Sequence, residues 1–201
     1  MRASTAAAEP AGLAGHLKAA TAASHHRLDA AIAAARPFES RARYARFLAV
    51  QFAFHRAVDP LYADPDLAAL LPDLAGRRRL PAVAADLADL GAPPPAGEAA
   101  PLFAPALPAD RAAAAGALYV AEGSRLGAAF LLAAVAGLGL SERFGARHLA
   151  GHPDGRARHW RRFTEALDGL ALGADEEARA AVAAEAAFAH VEGLVARWFA
   201  A

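Results

Sequence analysis

The chain of 201 residues contains no cysteine. Disulfides, thiolate nucleophiles and iron–sulfur ligation are therefore excluded. Net charge is also missing, since 21 Lys and Arg face 21 Asp and Glu. A balanced chain argues against a general nucleic-acid binder. Long hydrophobic runs are few. The longest uncharged apolar run, Leu126 to Leu140, falls short of the ~20 residues a membrane-spanning helix needs, so it reads as a buried helix and no membrane contact is expected. The stretch Met1 to Gly15 carries Arg2, Glu9 and Pro10 and has no leucine-type core. It does not read as a signal peptide, and the cytoplasm is the expected address. Strand-like alternation and internal repeats are absent as well.

What the chain has in excess is alanine, 63 residues, and arginine, 20 against the single lysine Lys18. Base composition alone can produce such a bias, but alanine is also the best helix former. Apolar residues recur with a helical period along nearly every long segment. Helices are predicted over about 12–35, about 40–62, 66–71, 78–90, 109–137, 155–168 and 174–199. Proline at 93, 94, 95, 101, 105 and 108 makes 92–108 a loop. The expectation is one all-α domain over 1–201, with 1–11 as a flexible tail.

Two segments carry candidate chemistry. At about 100° per residue, Leu13, Leu17, Leu28 and Ile32 share the inward face of the first helix. His25 lies at the edge of that face and His26 on the opposite side. Asp29, one turn on, is within reach of the His25 ring. The pair can be a metal ligand with its orienting carboxylate, or a histidine bonded at a helix seam. The second segment is Tyr119-Val-Ala-Glu-Gly-Ser-Arg-Leu-Gly-Ala-Ala-Phe130. Gly123 and Gly127 lie on one face, and each costs ~1 kcal/mol relative to alanine inside a helix. Either the backbone must approach a flat partner closely, or another helix packs tightly there. Gln51 and His55 share a face at i, i+4, and Trp160 sits in an arginine-rich helix. Buried, these groups need hydrogen-bond partners. The clusters Arg77–Arg79 and Arg156–Arg162 read as solvated faces.

Four runs together carry a resemblance. Leu17-Lys-Ala-Ala-Thr-Ala-Ala-Ser-His25-His-Arg-Leu-Asp29 resembles the proximal helix of heme oxygenases, and Glu122-Gly-Ser-Arg-Leu-Gly-Ala-Ala-Phe130 their distal helix. Arg46-Phe-Leu-Ala-Val-Gln-Phe-Ala-Phe-His55 and Phe144-Gly-Ala-Arg-His-Leu149 are similar to the small soluble bacterial branch. The resemblance runs in order from about Leu17 to Phe199.

It implies heme held between the first helix and a kinked glycine helix, with heme as both substrate and cofactor. His25 then matches the proximal iron ligand, and Asp29 the carboxylate that assists it. Gly123 and Gly127 match the glycines over the distal heme face, and Ser124 belongs to the same heme-contacting stretch. Lys18 and Tyr119 match positions that contact propionates in some members. Gln51, His55 and Trp160 match a distal hydrogen-bond network, Arg79 an arginine within it, and Phe188 an aromatic near the heme. The implied reaction uses O₂ and electrons from an external donor, such as ferredoxin or a flavin reductase, and yields biliverdin, CO and iron. The basic clusters offer a dock for such a donor. A monomer is expected. Lysines that some relatives use to seat heme in a rotated pose are replaced by Ala133, Ala134 and, near the end of the first helix, Ala33. That departure favours cleavage at the α bridge.

The competing readings are a heme-binding or heme-transfer protein without turnover, and a helical interaction module without cofactor. Thiamin-degrading enzymes of related fold depend on a reactive cysteine, which is missing here. The wheel makes a direct prediction. His25→Ala should abolish the histidine-ligated heme spectrum at unchanged helix content, whereas His26→Ala should not. The reverse result would invalidate the assignment.

Overall fold

The computed structural model describes residues 12–96 and 110–200. Within them lie ten α-helices: α1 Gly12–Ala20, α2 Ala22–Ala35, α3 Arg41–Val58, α4 Pro65–Leu70, α5 Leu74–Arg77, α6 Leu80–Asp89, α7 Arg111–Gly123, α8 Ala128–Ala136, α9 Arg156–Asp168 and α10 Ala174–Phe199. Among the described residues no strand forms, only isolated bridges at Ser141, so the expected all-α architecture holds. The tail 1–11 and most of the proline loop, 97–109, lie outside the described residues.

The helix starts follow local chemistry. The Ser40 hydroxyl accepts the Arg43 N–H, and the Asp64 and Asp110 carboxylates accept first-turn N–H groups of α4 and α7. The single first helix expected from the pattern is bent at Thr21. That residue's buried hydroxyl donates to the Leu17 carbonyl at 2.8 Å, a back-bond that bends helices. Main-chain bonds Thr21 N to Leu17 O and His25 N to Thr21 O still cross the bend. The second predicted helix passes into a 3-10 turn over 59–63 at Pro60. Helix α5 has no counterpart in the sequence reading, because four residues are too few to show a period.

The long helix expected over 109–137 divides into α7 and α8, with turn over 124–127. The combined stretch Arg111–Ala136 is long and apolar enough, by composition, to cross a membrane. Its first half is instead the core of this fold. Ala112, Ala114, Ala115, Ala117, Leu118 and Ala121 are fully buried, as are Ala180, Ala184 and Ala187 of α10. These alanines let α7 and α10 approach until backbone meets backbone. A Cβ on Gly116 would overlap the Ala180 carbonyl and come within 3.1 Å of the Ala184 nitrogen. Helix α10 also packs against α2 and α3, while α3 packs on α6.

Gly116→Ala should therefore destabilise the fold by about 1–3 kcal/mol, the usual cost of overpacking. Chemical denaturation measures it, and a variant as stable as the parent would contradict the close approach.

Candidate active site

On α2, Nδ1 of His25 lies 3.0 Å from Oδ2 of Asp29, as the i, i+4 spacing predicts. Both side chains are more than half exposed. The ring meets the edge of Phe188 from α10, with centroids 5.9 Å apart. His26 and Lys18 are exposed too, and neither has a polar contact among the described residues. His25 thus stands at the edge of the inward face, where the wheel places it. It leans on buried Phe188 but stays open, with one nitrogen held by Asp29 and the other accessible.

The bend between α7 and α8 presents the glycines. Among the described residues nothing lies closer than the Ser124 carbonyl, at 4.0 Å, to a Cβ built on Gly127. On Gly123 a Cβ would rest 3.6 Å from the Trp160 ring. Tight packing against another helix, the alternative explanation for costly glycines, is therefore realised at Gly116 and not at Gly127. Leu126 and Phe130 beside the bend are exposed, Phe130 by 82%. The Ser124 hydroxyl donates to the Ala121 carbonyl at 2.8 Å and so helps end α7.

Behind the glycines lies a polar interior that sequence reading missed. The Glu122 carboxylate is 2% exposed and accepts from Arg77 at 3.0 Å, Arg125 at 2.9 Å and the Tyr62 hydroxyl at 3.1 Å. Burial, and then the charge of Glu122, hold the Tyr62 phenol well above its ordinary pKa. Arg77 also donates to the His159 carbonyl and lies over the Phe163 ring. The expected solvated face at Arg77–Arg79 is thus overturned at Arg77, which is 1% exposed. A carboxylate set in an apolar helix demands a buried cation, and Glu122 in its alanine-rich run was the available signal.

Gln51 is half-buried, His55 is buried, and Trp160 packs against Tyr119 and Phe163. Among the described residues no hydrogen bond directly joins Gln51, His55 and Trp160. Nδ1 of His55 and Nε of Arg79 are buried without protein partners, which marks places for ordered water. Burial foremost, then the positive fields of His148, Arg79 and Arg125, push the His55 pKa down to about 3. Burial and the nearby Arg125 lower Arg79 to about 10. Near His55, Nδ1 of His148 bonds fully buried Asp86 at 2.8 Å. Burial raises the pKa of the half-buried Tyr119 phenol.

Comparison with known proteins decides what this arrangement belongs to. The heme oxygenase family model matches residues 11–197. The chain belongs to the heme oxygenase family. It is 46% identical over 176 residues to heme oxygenase PigA of Pseudomonas aeruginosa, covering 88% of this chain and 87% of that protein. The solved NO- and CO-bound heme oxygenase of Neisseria meningitidis superposes with a TM-score of 0.87 at 40% identity, over 94% of this chain and 92% of that one. Heme oxygenase from Leptospira interrogans shares the fold, with a TM-score of 0.71 at 18% identity over 92% and 99% of the two chains. The family and the all-α fold expected from the four sequence runs are borne out.

The heme oxygenase interior carries a pH signature. His55 titrates near 3 and His159 near 4, the latter lowered by burial and then by Arg77. Both values lie below the ordinary ~6.5 of an unfolded histidine. The unfolded chain therefore binds more protons between those limits. Stability is fully present above pH ~6.5 and is lost as pH falls towards 4, by about 1.4 kcal/mol per pH unit for each fully linked proton. Denaturation midpoints across pH 4–7 should show this slope, and His55→Gln should flatten it. An unchanged slope in that variant would sink the assignment.

Proposed function

We propose that this chain degrades heme, with His25 as its iron ligand and the α7–α8 bend over the opposite face. The observation that carries the proposal is the room outside the bend: nothing among the described residues comes nearer than 4.0 Å to a Cβ at Gly127, and Leu126 and Phe130 stand exposed beside it. A flat apolar ligand has room to lie against such a bend. The rest of the donor set fits. His25 offers an exposed imidazole whose Nδ1 is bonded by Asp29, which leaves Nε2 for iron and raises its basicity. Phe188, Leu126 and Phe130 supply apolar surface for a macrocycle. Lys18, near the end of α1, and Tyr119 are the candidates for the propionates. When bound, heme supplies the redox chemistry with O₂.

The protein's share is position and hydrogen bonding. Arg77, Arg125 and Tyr62 fix Glu122, and thereby the end of α7 that precedes Gly123. His55 stays neutral at pH 7 and has an unpartnered ring nitrogen. It is suited to hold ordered water, with Gln51, Trp160 and Arg79 nearby in the same network. Water held there is the proton source in this reading, so no acidic side chain is required above the iron. Arg158 and Arg161 are exposed on α9 and offer positive charge to an acidic electron donor of the ferredoxin or flavin-reductase type. With alanine at 33, 133 and 134, no lysine draws the propionates towards a rotated pose, so the α isomer of biliverdin is the product. The cytoplasm is the proposed compartment.

Heme-loaded protein given ascorbate and O₂ should lose its Soret band and yield biliverdin, with the α isomer dominant on chromatography. Gly127→Leu should fold normally, bind heme and lower the turnover rate at least tenfold. Heme bound without turnover would favour a transfer protein. A full rate in the leucine variant would remove the bend from the heme face.

A further inference from the structure

We infer that Asp73, His152 and His159 form a site for a borderline divalent transition-metal ion, of the Zn²⁺ or Fe²⁺ class. The inference stands on this cluster and is independent of the heme reading. The three residues come from separate segments: the start of α5, the loop before α9, and α9 itself. One ligand atom from each lies within 4.8 Å of the others.

The central contact is between Nε2 of His159 and Oδ2 of Asp73, at 3.6 Å. That distance is too long for a good hydrogen bond. It is close to the about 3.4 Å that separates two ligand atoms each about 2.1 Å from a tetrahedral ion. The His159 side chain is 6% exposed, and its Nε2 is buried with no hydrogen-bond partner. Such an orphaned nitrogen is costly unless something satisfies it.

The carboxylate is likewise uncommitted to its helix. Asp64 and Asp110 cap α4 and α7 through their side chains, but Asp73 stands at the N-cap of α5 and makes no capping bond. Its carboxylate is folded over Gly76, where a Cβ would overlap it. His152 completes the group. Its ring stacks on that of His159 with centroids 4.1 Å apart, and one quarter of its side chain is exposed. Nδ1 of His152 accepts the Asp154 N–H at 3.1 Å, which leaves Nε2 free to ligate, and the ring, stacked parallel to that of His159, must turn for its lone pair to converge on the ion.

Arg77 and Arg125 share one carboxylate, Glu122, so a positive field remains at His159; the Asp73 carboxylate is the group that offsets it at the ion. Ligation through Nε2 moves the His159 ring proton to Nδ1. The 3.4 Å contact to Arg77 Nη1 then sets one N–H donor against another and must open, while Arg77 keeps its bonds to Glu122 and the His159 carbonyl. Two histidines and one carboxylate on one side of an ion leave positions for water, the pattern that suits Fe²⁺ and Zn²⁺. The ion would tie the start of α5 to α9.

The test is a Co²⁺ titration of the untagged, heme-free full chain, followed by visible d–d absorption, with Zn²⁺ as competitor. One equivalent should bind and be displaced by Zn²⁺. Asp73→Asn, which keeps the left-handed backbone accessible, and His152→Gln should each weaken binding at least tenfold while the circular dichroism stays unchanged. His25→Ala should leave the spectrum intact. Zn²⁺ should raise the melting temperature of the parent but not of Asp73→Asn. An absence of stoichiometric binding, or binding unaffected by both substitutions, would overturn the proposal.

Discussion

One buried carboxylate organises the functional half of this protein. Glu122 is withdrawn from water on a helix whose buried face is otherwise alanine, glycine, leucine and valine. An isolated charge there would be prohibitive, and three donors converge to prevent it. Arg77 arrives from the end of α5, Tyr62 from the 3-10 turn after α3, and Arg125 from the bend itself. Removing one partner of such a group typically costs about 3–5 kcal/mol, because the others are left charged and unpaired. The network is therefore better understood as a fixer of geometry than as a source of net stability. It locks the last turn of α7 in place one residue before Gly123, where the helix must stop, bend and restart.

The same network sets the electrostatics of the site. Arg79 and Arg125 supply positive potential beside a deeply buried His55, and His148 adds to it. Burial makes the larger contribution, and the fields act in the same direction. The imidazole remains neutral and able both to give and to accept a hydrogen bond. A site that handles O₂ on iron has use for water of defined orientation and little use for a second cation. Exposed His25, with Asp29 at 3.0 Å, is the opposite case, a ring kept near solvent and oriented by one carboxylate. The two histidines share one residue chemistry, and burial separates their environments.

Sequence reading reached the fold because helical periodicity is a local property, repeated in every turn. It located α3, α9 and α10 closely, since Ser40, Pro60 and the glycines near 155 and 173 punctuate the chain. It placed Asp29 within reach of His25 because that contact depends on spacing within one helix. Four-residue α5 lay below the resolution of any periodic argument. The Glu122 cluster was invisible for a different reason: its partners are 3 to 60 residues away, and only tertiary contact brings them together. Arg77 illustrates the point. In the sequence it is one of three consecutive arginines and looks solvated. In the fold it is the one that turns inward, because a carboxylate waits 45 positions downstream.

The contrast among the glycines separates structure from function. Gly116, Gly123 and Gly127 all interrupt a run in which alanine is the rule. At Gly116 the missing methyl is replaced by the backbone of α10, and the residue is accounted for by packing alone. At Gly123 a methyl would make ordinary contact with Trp160, and at Gly127 nothing among the described residues comes nearer than the Ser124 carbonyl, 4.0 Å away. Gly127 is the N-cap of α8, where glycine is favoured over alanine, so its identity has a local structural reason as well. What sets the bend apart is the room left outside it. Exposed Leu126 and Phe130 beside it point the same way, since apolar side chains gathered at a bend are covered when a flat apolar ligand arrives.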